Sequence, residues 1–232
     1  MMLYDKPIFK TMGDRSLLAE FGDTIDPRTN EKVNALSTGV DNCKIEGIRE
    51  LIPSYRSLLI VFDPLLIAAE ELQRRIIDIS AHLDQVDLAA PKTLEIPVLY
   101  GGEDGPDLEW VAGYHHTTPQ EIIRRHTEPT YRVYMIGFTP GYPYMGDLPD
   151  DLVTPRRETP RMKIPKGSVG IAWKQTGIYP VASPGGWQII GRTTTDLFDP
   201  CSHPPALLEM GDRVKSYAVT MGDLNNGSRR YV

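Results

Sequence analysis

The fold is decided by the stretch GFTPGYPYMGDLPDDLVTPRRETPRMKIPKGSVGIAWKQTGIYPVASPGGWQIIGRT, residues 137–193. Proline and glycine interrupt it repeatedly, leaving short apolar and β-branched runs between turn signals. The aromatic and β-branched segment Tyr131–Phe138 before it predicts a central strand, and no helical stripe follows. Many short strands with frequent turns are typical of a sandwich or, at this turn density, of a closed barrel. We therefore predict a mainly β domain that closes into a barrel.

Two further elements precede this strand in the same predicted domain. The alternating segment TLEIPVLYGG, residues 93–102, predicts a strand that ends at a glycine turn. Thr118 and Glu121 form a capping box, with Pro119 at the first helical position. A short helix is expected from about Thr118 to Thr127, because Pro129 limits its continuation.

The N-terminal part of the chain has a different pattern. Strands are predicted in DRSLLAEFGD (14–23) and RSLLIVF (56–62), and Asp26 with Pro27 signals a helix start. A second helix is predicted from Asp63 and Pro64, since apolar residues then recur every three or four positions up to Leu83. The polar segment 83–93 interrupts this period and is the best linker candidate. We predict a small α+β domain over residues 1–88 and the barrel domain over residues 89–232.

Composition excludes several classes of protein. The 232 residues carry a net charge of −6 with a pI near 5.4, which disfavours nucleic acid as a partner. Cys43 and Cys201 form neither a zinc motif nor a disulfide framework. The longest apolar run, SLLIVF, is too short to span a bilayer, and the N-terminus has no signal-like segment. We expect a cytoplasmic protein without membrane contact.

Familiar catalytic motifs are missing from the sequence. It contains no Gly-x-x-x-x-Gly-Lys-Ser/Thr loop, no Gly-x-Ser-x-Gly elbow and no His-Glu-x-x-His pair. His115 and His116 are adjacent without a third ligand at useful spacing, so we predict no metal site. His126 shares the inward face of its helix with Ile122 and Ile123. It is either a hydrogen-bonded core residue or a proton shuttle at the barrel mouth.

The segment PRRETPRMKIPKGS, residues 155–168, forms a basic patch within an acidic protein. Arginines in such a patch bind carboxylate or phosphate through paired hydrogen bonds. The alternative is a charged strand edge that protects against aggregation. Further on, Gln175 and Thr176 offer neutral hydrogen-bonding groups, while Arg192 adds a cation. Trp187, which follows two glycines, is typical of a core residue more than of a stacking platform.

These same motifs resemble those of a known family. GFTPGYPYMGDLP, TPRRETPRMKIPKGSVGIA, QTGIYPVASPGGWQIIGRT and LFDP are similar to the family of allophanate hydrolase subunit 1 and the 5-oxoprolinase subunit of type B, which also contains a sporulation histidine-kinase inhibitor. The similarity is dense from residue 126 to 200. It implies an α+β N-terminal domain and a cyclophilin-like β-barrel domain.

The resemblance also implies partner chains. One is a homologous cyclophilin-like subunit, which corresponds to the 5-oxoprolinase subunit of type C or to allophanate hydrolase subunit 2. The other is a LamB/YcsF-like third subunit.

The activity that this resemblance implies is ATP-dependent opening of 5-oxoproline to glutamate, with ATP used by the assembled complex. A site shared between chains explains the missing nucleophile. Within it, we expect arginine side chains to hold anions, neutral polar side chains to orient substrate, and one histidine to transfer a proton. These expected residues are Arg157, Arg161 and Arg192 for anions, Tyr144, Gln175 and Thr176 for substrate, and His126 for the proton.

Two other functions stay open at the level of sequence. One is a non-catalytic inhibitor that binds a sensor histidine kinase, and the other is a subunit of an allophanate hydrolase or another amide-hydrolysing complex. An exposed apolar patch, predicted around Tyr142, Tyr144 and Met145, suits docking to either kind of partner. Trp173, together with Lys174, departs from the family pattern, which has small residues before Gln-Thr-Gly. We expect its indole to narrow the pocket.

Overall fold

The computed structural model describes residues 3–225, and the chain divides into two compact units between Ala90 and Pro91. The elements of the first unit are β1 (Leu3–Thr11), β2 (Ser16–Gly22), α1 (Pro27–Asn42), β3 (Ile48–Pro53), β4 (Ser57–Phe62), α2 (Ala69–Ser80) and a short 3-10 helix, Leu83–Gln85. The four strands form an antiparallel sheet with strand order β1-β2-β4-β3.

Helix α1 begins where the sequence predicts it, because the Asp26 side chain accepts hydrogen bonds from Arg28 N and Thr29 N. The predicted start of α2 at Asp63 and Pro64 is wrong. Asp63 instead forms a turn in which its carboxylate accepts from Leu65 N at 3.1 Å, and Leu65 is exposed. The apolar stripe therefore extends beyond both ends of the helix that it predicts.

The second unit contains the predicted barrel, which is confirmed. The elements of this unit are β5 (Thr93–Tyr100), α3 (Leu108–Tyr114), α4 (Pro119–Thr127), β6 (Tyr131–Ile136), β7 (Pro143–Gly146), a short 3-10 helix (Asp150–Leu152), β8 (Arg161–Ile164), β9 (Ser168–Ala172), β10 (Gln175–Ile178), β11 (Ser183–Gly185), β12 (Gln188–Arg192), β13 (Arg213–Ala218) and α5 (Met221–Asn225). Within residues 3–225, seven strands close in the order β10-β7-β6-β13-β5-β12-β9, and β8 and β11 form a separate two-stranded sheet. Neighbouring barrel strands are antiparallel except β13 and β5, which are parallel.

The barrel interior is filled by apolar side chains from all seven strands. Because side chains alternate along a strand, each strand gives one set of residues to this core and the other set to the outside. Helix α3, which the sequence does not predict, adds buried Val111 and Ala112 to the same core. Barrel residues of this core include Ile96, Val98, Val133, Met145, Val169, Ile171, Ile178, Ile190 and Val214.

Candidate functional site

Three of the four family-like motifs converge on one outer side of the barrel. Tyr144 on β7 lies opposite Gly177 on β10, which in turn lies opposite Gly170 on β9. Their strand neighbours Met145 and Ile178 belong to the interior core, so these three residues point outward. Gly177 has no room for a side chain, because a Cβ there would lie 2.6 Å from the Tyr142 hydroxyl. The glycines thus form a floor on which aromatic rings pack.

Four rings form this surface, which we call the aromatic face: Tyr142, Tyr144, Tyr179 and Trp187. The ring of Tyr142 lies 4.9 Å from Tyr144, 5.0 Å from Tyr179 and 5.9 Å from Trp187, measured between centroids. Tyr142, Tyr179 and Trp187 are buried, whereas Tyr144 is half-buried. The prediction of an exposed patch around Tyr142, Tyr144 and Met145 is therefore wrong, because Tyr142 is buried and Met145 lies in the interior core. Burial raises the pKa of Tyr144, and burial also raises the pKa of Tyr179 to about 12. Both phenols are therefore neutral hydrogen-bonding groups at neutral pH.

Next to the aromatic face lies a network around the buried carboxylate of Asp107, which we call the arginine cluster. Asp107 accepts from Arg157 Nη1 at 2.9 Å and from both terminal nitrogens of Arg161 at 2.8 and 2.7 Å. Ile189 N donates a fourth hydrogen bond at 2.7 Å. The side-chain hydrogen bond to Asp107 raises the pKa of Arg161. Both arginines are thus fixed within the chain, and their predicted role as anion ligands stays a prediction.

Arg192 lies at a different point of the same side. It ends β12, is exposed, and its Nη1 lies 3.4 Å from Asp104 Oδ1. With Arg161 and Asp104 it lines a cleft of about 40 Å³, the volume of roughly one water molecule. The predicted anion-binding residues Arg161 and Arg192 are therefore neighbours across a small opening.

His126 and Thr176 lie inside the barrel in what we call the interior cluster, which also contains Tyr100. His126 has no exposed surface, and its Nε2 lies 2.9 Å from Thr176 Oγ1. Since Thr176 Oγ1 donates to Gly170 O at 3.2 Å, Nε2 carries the proton and donates to Thr176. Nδ1 then accepts from the Tyr100 hydroxyl at 2.7 Å. Burial lowers the pKa of His126 to about 3, so the imidazole is neutral.

The structure therefore separates the predicted site residues. Gln175 lies two residues before Gly177 on β10 and shares the outward side with Tyr144, whereas its neighbour Thr176 points inward. The sequence does not predict the role of Asp107, which precedes α3 and resembles an ordinary helix cap. Asp107 does occupy the N-cap position of α3, but its carboxylate makes no capping hydrogen bond.

Trp173 does not lie where the sequence predicts it. It occupies the turn between β9 and β10 at φ 51°, with its side chain largely exposed. Gly177, the partner of Tyr144, is four residues or about 13 Å further along the strand. The indole is therefore not a wall of the aromatic face.

Two kinds of feature are absent from the described residues. Residues 3–225 contain no group of three or more His, Cys, Asp or Glu side chains that is arranged to hold a metal ion. In the same part of the chain, every helix is too short or too polar to cross a membrane.

The barrel and the motifs on its aromatic face identify the family. The chain belongs to the family described as carboxyltransferase domain, subdomain C and D, which it matches over residues 7–208. It is 39% identical to the 5-oxoprolinase subunit of type B from Bacillus subtilis, over 91% of this chain and 92% of that protein. It is 52% identical to the subunit of the same name from Haemophilus influenzae, over 68% and 73% of the two chains. The family resemblance of the sequence motifs is thereby confirmed.

Among solved structures, the urea amidolyase of K. lactis has the same fold as this chain. The TM-score is 0.76 at 22% identity, and the alignment covers 95% of this chain and 15% of that one.

Proposed function

We propose that this chain is a subunit of an ATP-dependent 5-oxoprolinase, which opens the lactam of 5-oxoproline to give glutamate. One observation carries the proposal: a cationic loop lies beside the half-buried Tyr144, because Arg157 N donates to Gly186 O and the ring of the adjoining Trp187 lies 5.9 Å from that of Tyr144. The likeness to proteins named as 5-oxoprolinase subunits, nearly end to end in one case, supports the choice of substrate.

The chemistry of this face suits the substrate. 5-Oxoproline carries one carboxylate and a neutral lactam, so a binding surface needs a cation beside uncharged hydrogen-bonding groups. Tyr144 and Gln175 are the uncharged groups, and the loop Pro155–Arg161 supplies the cations. Arg192, across the small cleft from Arg161, is proposed to face a developing or transferred negative charge. The predicted proton transfer by His126 needs a route to its buried ring and stays a prediction.

The residues of this chain do not fit ATP as a self-contained site. The sequence lacks a phosphate-binding glycine loop, and two arginines of the basic patch are already held by Asp107. We therefore propose that ATP binds in the assembled complex, with a homologous cyclophilin-like subunit and a LamB/YcsF-like subunit as partners. The face described here contributes substrate recognition to that shared site.

The test is glutamate formation from 5-oxoproline in the presence of ATP. Three samples are compared: this protein alone, the candidate partner subunits without it, and the complete mixture. Activity confined to the complete mixture is the expected result. Equal activity without this chain would overturn the proposal.

Two additional measurements distinguish the alternative functions. Turnover of allophanate but not of 5-oxoproline by the complete mixture would support the amide-hydrolase alternative. Failure to bind the partner subunits, together with inhibition of a sensor kinase's autophosphorylation, would support the kinase-inhibitor alternative.

A further inference from the structure

Three arginines lie close together in the sequence after Pro155, but their surroundings differ. Arg157 and Arg161 share the carboxylate of Asp107. Arg156 is exposed, and within residues 3–225 its guanidinium has neither a hydrogen bond nor an ion pair. Of these three arginines, only Arg156 therefore has no hydrogen-bond or ion-pair partner in the described part of the chain, and the sequence does not single it out.

The loop that carries Arg156 is fixed on both sides of this residue. Gln188 Nε2 donates to Pro155 O at 3.2 Å, and Arg157 N donates to Gly186 O at 2.8 Å. Both partners flank Trp187, whose ring lies 5.9 Å from that of Tyr144. The backbone of Arg156 is thus held alongside the aromatic face, although its guanidinium forms no hydrogen bond or ion pair with the described residues.

The charge around this loop favours an anion. In the arginine cluster one carboxylate lies between two guanidiniums, so the cluster retains a positive charge. The exposed Glu158 belongs to the same loop, but with Arg156 included the balance of charges stays positive. Arg156 is close enough for its charge to act on the phenol of Tyr144. Burial raises the pKa of Tyr144, and the positive charge of Arg156 partly offsets this increase. A carboxylate beside Tyr144 would therefore meet one unpaired guanidinium and one fixed positive charge.

We propose that Arg156 binds the carboxylate of the substrate beside Tyr144, and that Asp107, Arg157 and Arg161 are the rigid support of its loop. The proposal rests on the proposed function for the identity of the substrate. It assigns the direct contact to Arg156 and a positioning role to the other three residues.

Two ligands test this assignment: 5-oxoproline and 2-pyrrolidinone, the same lactam without the carboxylate. Their dissociation constants are measured by calorimetry on the assembled complex with wild-type chain, Arg156→Gln or Lys163→Gln. Lys163 is an exposed cation of the same basic patch, so its variant controls for the loss of one charge. Melting temperatures are recorded for each variant.

Arg156→Gln is expected to raise the dissociation constant of 5-oxoproline about 10-fold or more, which is the range for a hydrogen bond between charged groups. The dissociation constant of 2-pyrrolidinone should stay within about twofold of the wild-type value. Lys163→Gln is expected to leave both ligands within about twofold. Unchanged 5-oxoproline binding by Arg156→Gln, or equal weakening of both ligands, would overturn the proposal, as would a wild-type complex that does not bind 5-oxoproline. A complex that binds 5-oxoproline with this dependence on Arg156 but forms no glutamate would support Arg156 and overturn the proposed function.

Discussion

The interior cluster and the arginine cluster are both buried polar networks of the same barrel, yet they are built in opposite ways. Around His126 each hydrogen bond joins neutral groups, and the ring has no exposed surface. Around Asp107 the groups are charged, and 34% of the Arg157 side chain and 26% of the Arg161 side chain are exposed. A neutral, sealed network serves stability, whereas a charged network that reaches the surface can also organise a binding site.

The largest effect is expected from breaking the arginine cluster with Asp107→Asn. The amide keeps the shape, but it removes the shared charge and cannot accept all four hydrogen bonds. We expect a loss of about 2–3 kcal/mol in the free energy of unfolding, below the roughly 3–5 kcal/mol of fully buried pairs because both arginines are partly exposed. Urea denaturation measures this loss.

The control for this variant is Asp212→Asn. Asp212 is also buried and accepts from Lys92 N and Glu209 N, but it lies outside the arginine cluster. If Asp107 positions the loop of Arg156, only Asp107→Asn raises the KM for 5-oxoproline in the assembled complex. An equal KM for the two variants would show that Asp107 stabilises the fold but does not position the loop of Arg156.

The interior cluster predicts a dependence of stability on pH. The unfolded chain protonates His126 below a pH of about 6.5, whereas the folded protein keeps it neutral down to about 3. Its contribution to stability is therefore complete above a pH of about 6.5 and is lost as the pH falls toward about 3. As the pH falls through this interval, the free energy of unfolding of the wild-type protein should decrease more steeply than that of His126→Gln. The difference between the two slopes should reach up to about 1.4 kcal/mol per pH unit.

Urea denaturation at pH 7 and pH 5 measures this difference. At pH 7 His126→Gln itself should cost about 2 kcal/mol, because Tyr100 and Thr176 lose their common partner. His82→Gln, a change at an exposed histidine, should retain the wild-type pH dependence. The same pH slope for wild type and His126→Gln would contradict a neutral histidine in the folded state.

The sequence predicts the barrel because its evidence is local. Each turn of proline or glycine ends a strand, and the residues that mark it are adjacent in the chain. The start of α2 is missed since the apolar stripe begins before the backbone becomes helical, at an Asp-Pro turn. Helix α3, with seven residues, is too short to give a periodic signal.

The candidate site is predicted only in part, because its contacts join distant segments. Asp107 binds arginines that are 50 and 54 residues away, a pairing that no local pattern contains. The sequence predicts that Gln175 and Thr176 both orient substrate, yet as neighbours on a strand they must point to opposite sides. Which side is the interior follows only from closure of the barrel.

The smallest effect on the free energy of unfolding is expected at Trp173, which is compared with Phe138 in another turn of similar backbone conformation. Trp173 and Phe138 both have positive φ and largely exposed rings, but Phe138 lies 5.6 Å from the ring of Tyr142. Asparagine tolerates this backbone better than aromatic residues do, so Trp173→Asn should change the free energy of unfolding by no more than about 0.5 kcal/mol, toward greater stability. Its KM for 5-oxoproline in the assembled complex should stay within about twofold of wild type.

Phe138→Asn should raise the KM, because it removes a ring that packs against the aromatic face. Equal increases for both variants would restore the sequence-based hypothesis that the indole of Trp173 narrows the pocket.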